Sequence, residues 1–331
     1  MDAIDTRTAG IESRLAGIER RAHTLLPTPV HELTVLSERS GCRVFCKRDD
    51  LTGFGFGGNK TRKLDFLIAD ALRSGSDTLL AVGANQSNFC RVVAAYGSAH
   101  DMDVHLMLGG REPDLPTGNL RLDHMLGATC HHIDSREWNE WEARAADLET
   151  DLRKQGRTVY RMPVGGSTVT GTLGYVAAMS EILDDEARLG LSFDALVMAT
   201  SSAGTQAGLV VGRSIANWPG QILGISCAKS AGEQRRDVLD LAQATAERLW
   251  CPVDSEDVHV DDSYLGDGYA CNTAACEKAV QFFARKCGIF LDHVYTGKAA
   301  AGLLDYLAAN RFAPGSSILF LHTGGSAELL A

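Results

Sequence analysis

The sequence predicts an α/β protein with two doubly wound domains around mostly parallel sheets, and three observations carry that expectation. Short apolar runs recur at Thr78-Leu79-Leu80-Ala81-Val82, Ala195-Leu196-Val197-Met198-Ala199 and Ile318-Leu319-Phe320-Leu321, as strands covered on both faces should. The first two lead into loops of small and polar residues and then into apolar residues at helical spacing, the order of a βαβ unit. The length of 331 residues suits about two domains.

Taken in order, residues 10–21 read as an amphipathic helix with Ile11, Leu15 and Ile18 on one stripe. Leu26-Pro27-Thr28-Pro29 ends it, and residues 43–47 form a short strand. Next comes Gly53-Phe54-Gly55-Phe56-Gly57-Gly58-Asn59-Lys60-Thr61-Arg62-Lys63. Its glycines can take positive φ and let backbone approach a ligand, and a helix opens at Lys60 with Leu64, Phe66, Leu67, Ile68, Ala71 and Leu72 as its apolar positions. A helix start offers unpaired N–H groups to an anion. Asn59 precedes the lysine where a P-loop needs glycine, so the Walker spacing fails. A lysine beside flexible backbone also suits a Schiff base with an aldehyde cofactor, while a glycine turn with solvated lysines is the plain alternative.

The strand at 78–82 leads to Gly83-Ala84-Asn85-Gln86-Ser87-Asn88, then to a helix and the strand at 104–108. Ligands in such sheets lie beyond the carboxyl ends of the strands, and neutral donors at a helix start suit a carboxylate. A charged segment with Trp138 and Trp141 reads as helical to about Gly156, and residues 161–167 as a turn before a helix that contains Val176, Met179, Ile182 and Leu183. After the strand at 195–199, Thr200-Ser201-Ser202-Ala203-Gly204-Thr205 precedes a helix with the makings of a phosphate cup that needs no lysine, or of a simple capped turn. A strand at 222–226, helices at 235–249 and 276–287, a Gly- and Tyr-containing loop at 264–269, a helix after Tyr295 and a last strand ending in Gly324-Gly325 complete the chain.

With 45% apolar and 22% charged residues the composition is that of an ordinary globular protein. The net charge of −10 is spread along the chain without a basic block, which argues against nucleic acid and anionic membrane as partners. No apolar run reaches transmembrane length, and the N-terminal five residues lack a signal-peptide plan. Nine scattered cysteines without a Cys-x-x-Cys pair read as reduced thiols of a cytoplasmic protein. Cys42/Cys46, Cys271/Cys276 and His131-His132 lack the matching pairs that zinc requires, so no metal is expected, and the two histidines read as surface residues.

Four loops taken together, Gly57-Gly58-Asn59-Lys60-Thr61-Arg62-Lys63, Gln86-Ser87-Asn88, Ala203-Gly204-Thr205 and His322-Thr323-Gly324-Gly325, resemble the pyridoxal 5′-phosphate (PLP) enzymes of fold type II, the tryptophan synthase β-like fold. The nearest branch is the D-cysteine desulfhydrase and 1-aminocyclopropane-1-carboxylate (ACC) deaminase group. Pro163-Val164-Gly165-Gly166-Ser167 and Asp292-His293-Val294-Tyr295-Thr296-Gly297-Lys298 belong to the same resemblance, which runs from about Leu26 onward. It implies a larger PLP-binding domain of residues 1–57 and 172–331, and a smaller domain of 58–171 that carries the carboxylate loop. It implies that Lys60 holds the cofactor, that Lys63, Ala203, Gly204 and Thr205 surround its phosphate, and that Asn88 meets its phenolic oxygen. Thr323 would face the pyridine nitrogen, and a neutral hydroxyl there suits elimination better than transamination. Gln86, Ser87, Asn88 and Thr168 would bind substrate. Tyr269 and Tyr295 would join Lys60 and Ser87 in catalysis.

The implied reaction is α,β-elimination on a small β-substituted amino acid, D-cysteine or L-cysteate-like, giving pyruvate, ammonia and sulfide or sulfite. Lys60 is the natural base at Cα, with Ser87 or a tyrosine as rival. ACC deaminase is the alternative. In that activity the resemblance suggests a glutamate after the second tyrosine, and this chain has Thr296. Phe89, Thr168 and Ala270-Cys271-Asn272 depart from the desulfhydrase pattern on the substrate side, leaving open an unlisted amino-acid substrate or a PLP-binding protein without catalysis. A symmetric homodimer is the expected assembly.

Overall fold

The computed structural model describes residues 6–331; the first five residues, considered above for a signal peptide, lie outside them. Two sheets organise the chain. The larger has the order β1 (Val30–Glu32), β2 (Arg43–Lys47), β10 (Ser317–Leu321), β7 (Ala195–Thr200), β8 (Gln221–Ser226), β9 (His259–Asp261). Its β1–β2 pair is antiparallel and every other pair is parallel. The smaller is wholly parallel, in the order β5 (Thr129–Ile133), β4 (Asp103–Gly109), β3 (Thr78–Ala84), β6 (Val159–Met162).

The apolar runs of the larger sheet are divided between its faces by the two-residue period of a strand. Phe45, Leu319 and Leu196 share one core with α1 (Thr6–Leu15), α7 (Val169–Leu189), α8 (Gly204–Ala216) and α9 (Ala231–Leu249). Their chain neighbours Val44, Ile318 and Ala195 turn to the other face, towards α2 (Thr34–Ser40), α10 (Ala274–Phe282) and α11 (Thr296–Ala308). In the smaller sheet Leu79 and Ala81 pack with α3 (Lys60–Arg73), α4 (Asn88–Ala99) and α5 (Gly118–Met125), whereas Leu80 and Val82 meet Trp141 and Ala145 of α6 (Trp138–Lys154). The doubly wound, mostly parallel α/β expectation is met.

Some bounds differ from expectation. The first helix spans Thr6–Leu15 rather than 10–21, because the chain turns through Gly17 at φ 78°. The helix expected from 235 begins at Ala231, where Ser230 and Glu233 form a reciprocal capping box. Residues 276–287 split into α10 and a π turn at Phe283–Cys287. His131 and His132 are only partly exposed: His131 Nε2 lies 3.0 Å from His105 Nδ1, and His132 Nδ1 lies 3.0 Å from Asn85 Oδ1.

A buried ionic cluster ties the larger sheet to α3 and α7. Lys47 reaches Glu181 at 2.5 Å and Asp185 at 2.6 Å, and Arg62 reaches Asp49 at 2.8 Å and Glu181 at 3.0 Å. Burial by itself would raise the Glu181 carboxyl, but Arg62 and Lys47 outweigh it and bring it from 4.5 to about 2. A depressed carboxylate stabilises the fold above its unfolded value, and that contribution fades as pH falls from about 4.5 towards 2. The urea midpoint of the wild type should therefore fall more steeply from pH 5 to pH 3 than that of Glu181→Gln. Parallel pH profiles would remove the cluster from the account.

Candidate active site

A cavity opens at the carboxyl ends of both sheets, between the segments that follow β3, β6, β7 and β10. The Gly-rich stretch forms one wall. Gly53, Gly55, Gly57 and Gly58 all have positive φ, and a Cβ on Gly57 would come within 2.6 Å of the Asp50 carbonyl oxygen. Gly58 N–H donates to Thr52 Oγ1 at 2.7 Å, and Asn59 N–H donates to the Thr323 carbonyl at 2.8 Å. These bonds bring the start of α3 against the end of β10, with Lys60 as its first residue.

Lys60 lines the cavity. Its Nζ lies 3.5 Å from the Gly165 carbonyl oxygen, and Lys63 Nζ donates to the same oxygen at 3.1 Å and to Ser167 Oγ at 3.4 Å. Burial pushes the Lys60 ammonium down to about 8. Burial also takes Lys63 well below its ordinary value, with the neighbouring Lys60 charge adding to the effect. Beside them, α8 starts at Gly204 after Ala203, a non-glycine residue at φ 68°. Gly204 N–H points to Ser167 Oγ at 3.3 Å, Ser167 Oγ donates to Ser202 Oγ at 3.0 Å, and Asn59 Nδ2 donates to Thr205 Oγ1 at 3.0 Å. A Cβ on Gly204 would sit 2.6 Å from Lys63 Nζ. The corner is rich in donors, and no carboxylate lines the cavity among the described residues. That donor set suits a multiply charged anion.

Across the cavity, Ser87 caps α4, its Oγ accepting the Cys90 N–H at 3.2 Å, and Asn88 follows as the first helical residue. Tyr269 and Tyr295 share a hydroxyl–hydroxyl bond of 2.6 Å. Burial raises both phenols, Tyr269 to about 12 and Tyr295 well above its ordinary value, so both stay protonated at neutral pH. Tyr295 is placed by Asp292, whose carboxylate accepts the N–H groups of Val294 (2.9 Å), Tyr295 (2.7 Å) and Thr296 (2.9 Å). Thr296 is fully buried and donates its hydroxyl to Asp292 at 2.6 Å; it does not line the cavity. On the far side of Tyr269, Trp138 stands edge-on at 5.8 Å and 88°.

The cavity thus brings together Lys60, Ser87, Asn88, Ala203, Thr205, Tyr269, Tyr295 and Thr323. Lys63 and Gly204 lie just behind its lining. Two residues expected to bind substrate have their side chains engaged elsewhere and do not line the cavity. Gln86 is turned towards α5, its Nε2 donating to the Thr117 carbonyl (3.1 Å) and its Oε1 accepting the Asn119 N–H (2.8 Å). Thr168 is the N-cap of α7, its Oγ1 accepting the Gly171 N–H at 3.1 Å, and it does not line the cavity. Trp138 and Trp141 line it without having been singled out for the site, and Phe89 and Ser202, read above as a substrate-side departure and as part of the possible phosphate cup, line it as well. The two tryptophans sit three residues apart at the start of α6, a spacing that put both on one helix face.

The family model for pyridoxal-phosphate dependent enzymes matches residues 22–324. The chain belongs to this family. Among the PLP-dependent enzymes it is 39% identical over 311 residues to the D-cysteine desulfhydrase of Salmonella typhi, covering 92% of this chain and 93% of that protein. The D-cysteine desulfhydrase of Salmonella newport (strain SL254) matches to the same extent. A solved structure described as an ACC deaminase homologue is 35% identical with a TM-score of 0.91, covering 97% of this chain and 96% of that one. A fungal L-serine ammonia-lyase from Rhizomucor miehei shares the fold at 16% identity, with a TM-score of 0.69 over 93% of this chain and 96% of that one. The expected family, fold type and cofactor are borne out. The site also fits PLP on its own chemistry. Lys60 is a buried amine of lowered basicity, suited to bonding the aldehyde. The α8 start, with Ser167, Ser202, Thr205 and the amine of Lys63 around it, suits the phosphate.

Proposed function

We propose that this PLP-dependent enzyme is a carbon–sulfur lyase that takes D-cysteine or a closely similar amino acid to pyruvate, ammonia and sulfide. The reading rests on one observation above all. Among the described residues the only charged side chain that lines the cavity is Lys60. A sulfonate on Cβ would want a second cation there, and a neutral thiol needs none. Opening the ring of ACC would call for a group where this chain buries Thr296 against Asp292. The names of the D-cysteine desulfhydrase relatives point the same way.

When bound, PLP supplies an electron sink that acidifies the Cα–H of the attached amino acid. The residues we assign to substrate are Ser87 and Asn88, whose loop at the start of α4 receives the carboxylate. Lys60 would hold the cofactor, and its amine would take the Cα proton of the substrate. The Cβ–S bond would then break, and we assign protonation of the departing sulfur to the Tyr269–Tyr295 pair. Water completes the balance, so that D-cysteine and water give pyruvate, ammonia and hydrogen sulfide. We assign the phosphate to Lys63, Ala203, Gly204 and Thr205, the phenolic oxygen to Asn88, and the pyridine nitrogen to the hydroxyl of Thr323. Residues 58–171 are proposed as the smaller domain and the remainder as the larger. A symmetric homodimer in the cytoplasm is the proposed setting. No helix among the described residues is long and apolar enough to cross a membrane.

The test is an end-point assay of the PLP-loaded protein with D-cysteine, L-cysteine, L-cysteate and ACC, reading 2-oxo acid, sulfide and sulfite. Pyruvate with sulfide from D-cysteine is the expected result. Sulfite from L-cysteate, or 2-oxobutyrate from ACC, as the main product would overturn the assignment. Tyr295→Phe removes one hydroxyl of the 2.6 Å pair and should keep the visible band of the bound cofactor while lowering turnover about a hundredfold. Unchanged turnover would reduce Tyr295 to a packing residue.

A further inference from the structure

Behind the Ser87–Asn88 loop lies a chain of hydrogen bonds whose direction is forced from one end. Arg91, on α4, is 2% exposed. A guanidinium can only donate, and Arg91 Nε donates to Asn119 Oδ1 at 2.7 Å. That bond fixes the Asn119 amide, because its oxygen must face Arg91 and its nitrogen must face the other way. Asn119 Nδ2 accordingly donates to the Gln86 carbonyl at 3.0 Å and to Asn88 Oδ1 at 3.0 Å. Arg91 Nη2 adds a longer contact to Asn88 Oδ1 at 3.5 Å. Asn88 therefore spends its oxygen on two donors behind the loop. Asn88 lines the cavity, and its Nδ2 is left as the end of the amide that remains free to donate there.

We infer that Asn119 and Arg91 are positioning residues that set the polarity of the Asn88 amide, so that it offers N–H and not C=O to the cavity. The inference rests on the reading that Asn88 meets the cofactor's phenolic oxygen. An N–H donor stabilises that oxygen as an anion, whereas an amide oxygen in its place would repel it. Asn119 is fully buried and is the second residue of α5, so the relay joins that helix to the loop that carries Asn88. The same guanidinium also donates to the carbonyls of Gly55 and of Gly57, the latter at 3.1 Å. One side chain thus joins the Gly-rich stretch to the loop that carries Asn88. Asp123, one turn further along α5, is buried with neither oxygen hydrogen-bonded to the described residues. Burial pushes its carboxyl up to about 8. Neither of its oxygens takes an Arg91 donor, which leaves the guanidinium to Asn119 and the glycine carbonyls.

The relay makes a signed prediction. In Asn119→Asp the new carboxylate can accept but not donate, so Asn88 should turn its Nδ2 towards it and its oxygen into the cavity. The phenolic oxygen then loses its donor and becomes more basic. The visible band of the PLP-loaded protein should change wavelength, and its pH midpoint should rise by about one unit. Asn119→Ala, which only removes the orienting donor, should move the midpoint in the same direction by less, and it carries the test alone if the aspartate variant does not fold. Asn88→Ala is the reference. If Asn88→Ala shifts the band and neither Asn119 variant does, the positioning role is overturned while the site reading stands. If Asn88→Ala itself leaves the band and its midpoint unchanged, the contact between Asn88 and the cofactor falls and the proposal falls with it. A merely structural Asn119 would lower the melting temperature without moving the spectrum.

Discussion

Replacing Lys60 with alanine is expected to abolish the visible absorption band of the PLP-loaded enzyme and to lower turnover by about a thousandfold or more. The expectation follows from the surroundings of the amine. Lys60 is the one charged side chain on the cavity lining among the described residues, and burial brings its ammonium down to about 8, so the free amine is far more accessible near neutral pH than for a solvated lysine. Lys63 is fully buried and already donates to Gly165 and Ser167. Alanine keeps the helix start, since α3 begins at this position and alanine is a strong helix former. The variant should therefore fold normally and still bind phosphate at the α8 corner. The measurement is the absorption spectrum after exhaustive removal of free PLP, with pyruvate formation alongside. Retention of the band would move the attachment point to another amine, Lys63 first.

Arg62→Met is expected to destabilise the fold by about 3–5 kcal/mol. Arg62 is 4% exposed and donates to Asp49, Glu181 and the Thr28 hydroxyl. Methionine fills similar space but leaves the Asp49 and Glu181 carboxylates facing each other without their shared cation. Lys47 still compensates Glu181, whereas Asp49 keeps only the hydroxyls of Thr28 and Tyr175. The cost should be read by urea unfolding at pH 7, together with PLP affinity, because Arg62 lies two positions after Lys60 on the same helix. A loss below about 1 kcal/mol would place this cluster with solvated surface pairs. Replacing Arg62, Asp49 and Glu181 together with apolar residues of matched size should recover much of the loss.

The strands legible in the sequence were those covered on both faces. β2, β3, β7, β8 and β10 each carry an apolar run, and the run of β4 is interrupted only by His105. The four that were not read, β1, β5, β6 and β9, are all edge strands of the two sheets. Val30–Glu32 and His259–Asp261 have three residues each, and Thr129–Ile133 carries two histidines. An edge strand is short and partly solvated, so neither continuous apolarity nor clean alternation marks it. The cofactor side of the site was legible for a related reason. Segments that pack this closely leave no room for a Cβ, and Gly57 against the Asp50 carbonyl, Gly58 against the Thr323 carbonyl and Gly204 against Lys63 Nζ record that need directly. The substrate side was harder. Gln86 and Thr168 are residue types as useful for holding a loop or capping a helix as for binding a carboxylate, and the structure uses them in those ways. Trp138 reaches the site across the fold, and α5 went unread because a helix of eight residues gives little periodicity to detect.

The position of β10 has a consequence for how the protein is made. It is the last strand in sequence, yet it lies inside the larger sheet, hydrogen-bonded to β2 on one side and β7 on the other. The smaller sheet needs nothing beyond Met162 and can close while later residues are still being translated. The larger sheet waits with β2 and β7 as open, apolar inner edges until residues 317–321 leave the ribosome. Nascent chains shorter than this expose pairing surfaces suited to the wrong partner. Chaperone demand during synthesis should therefore concentrate on the first fifty residues and the third quarter of the chain, with the final strand as the event that ends it.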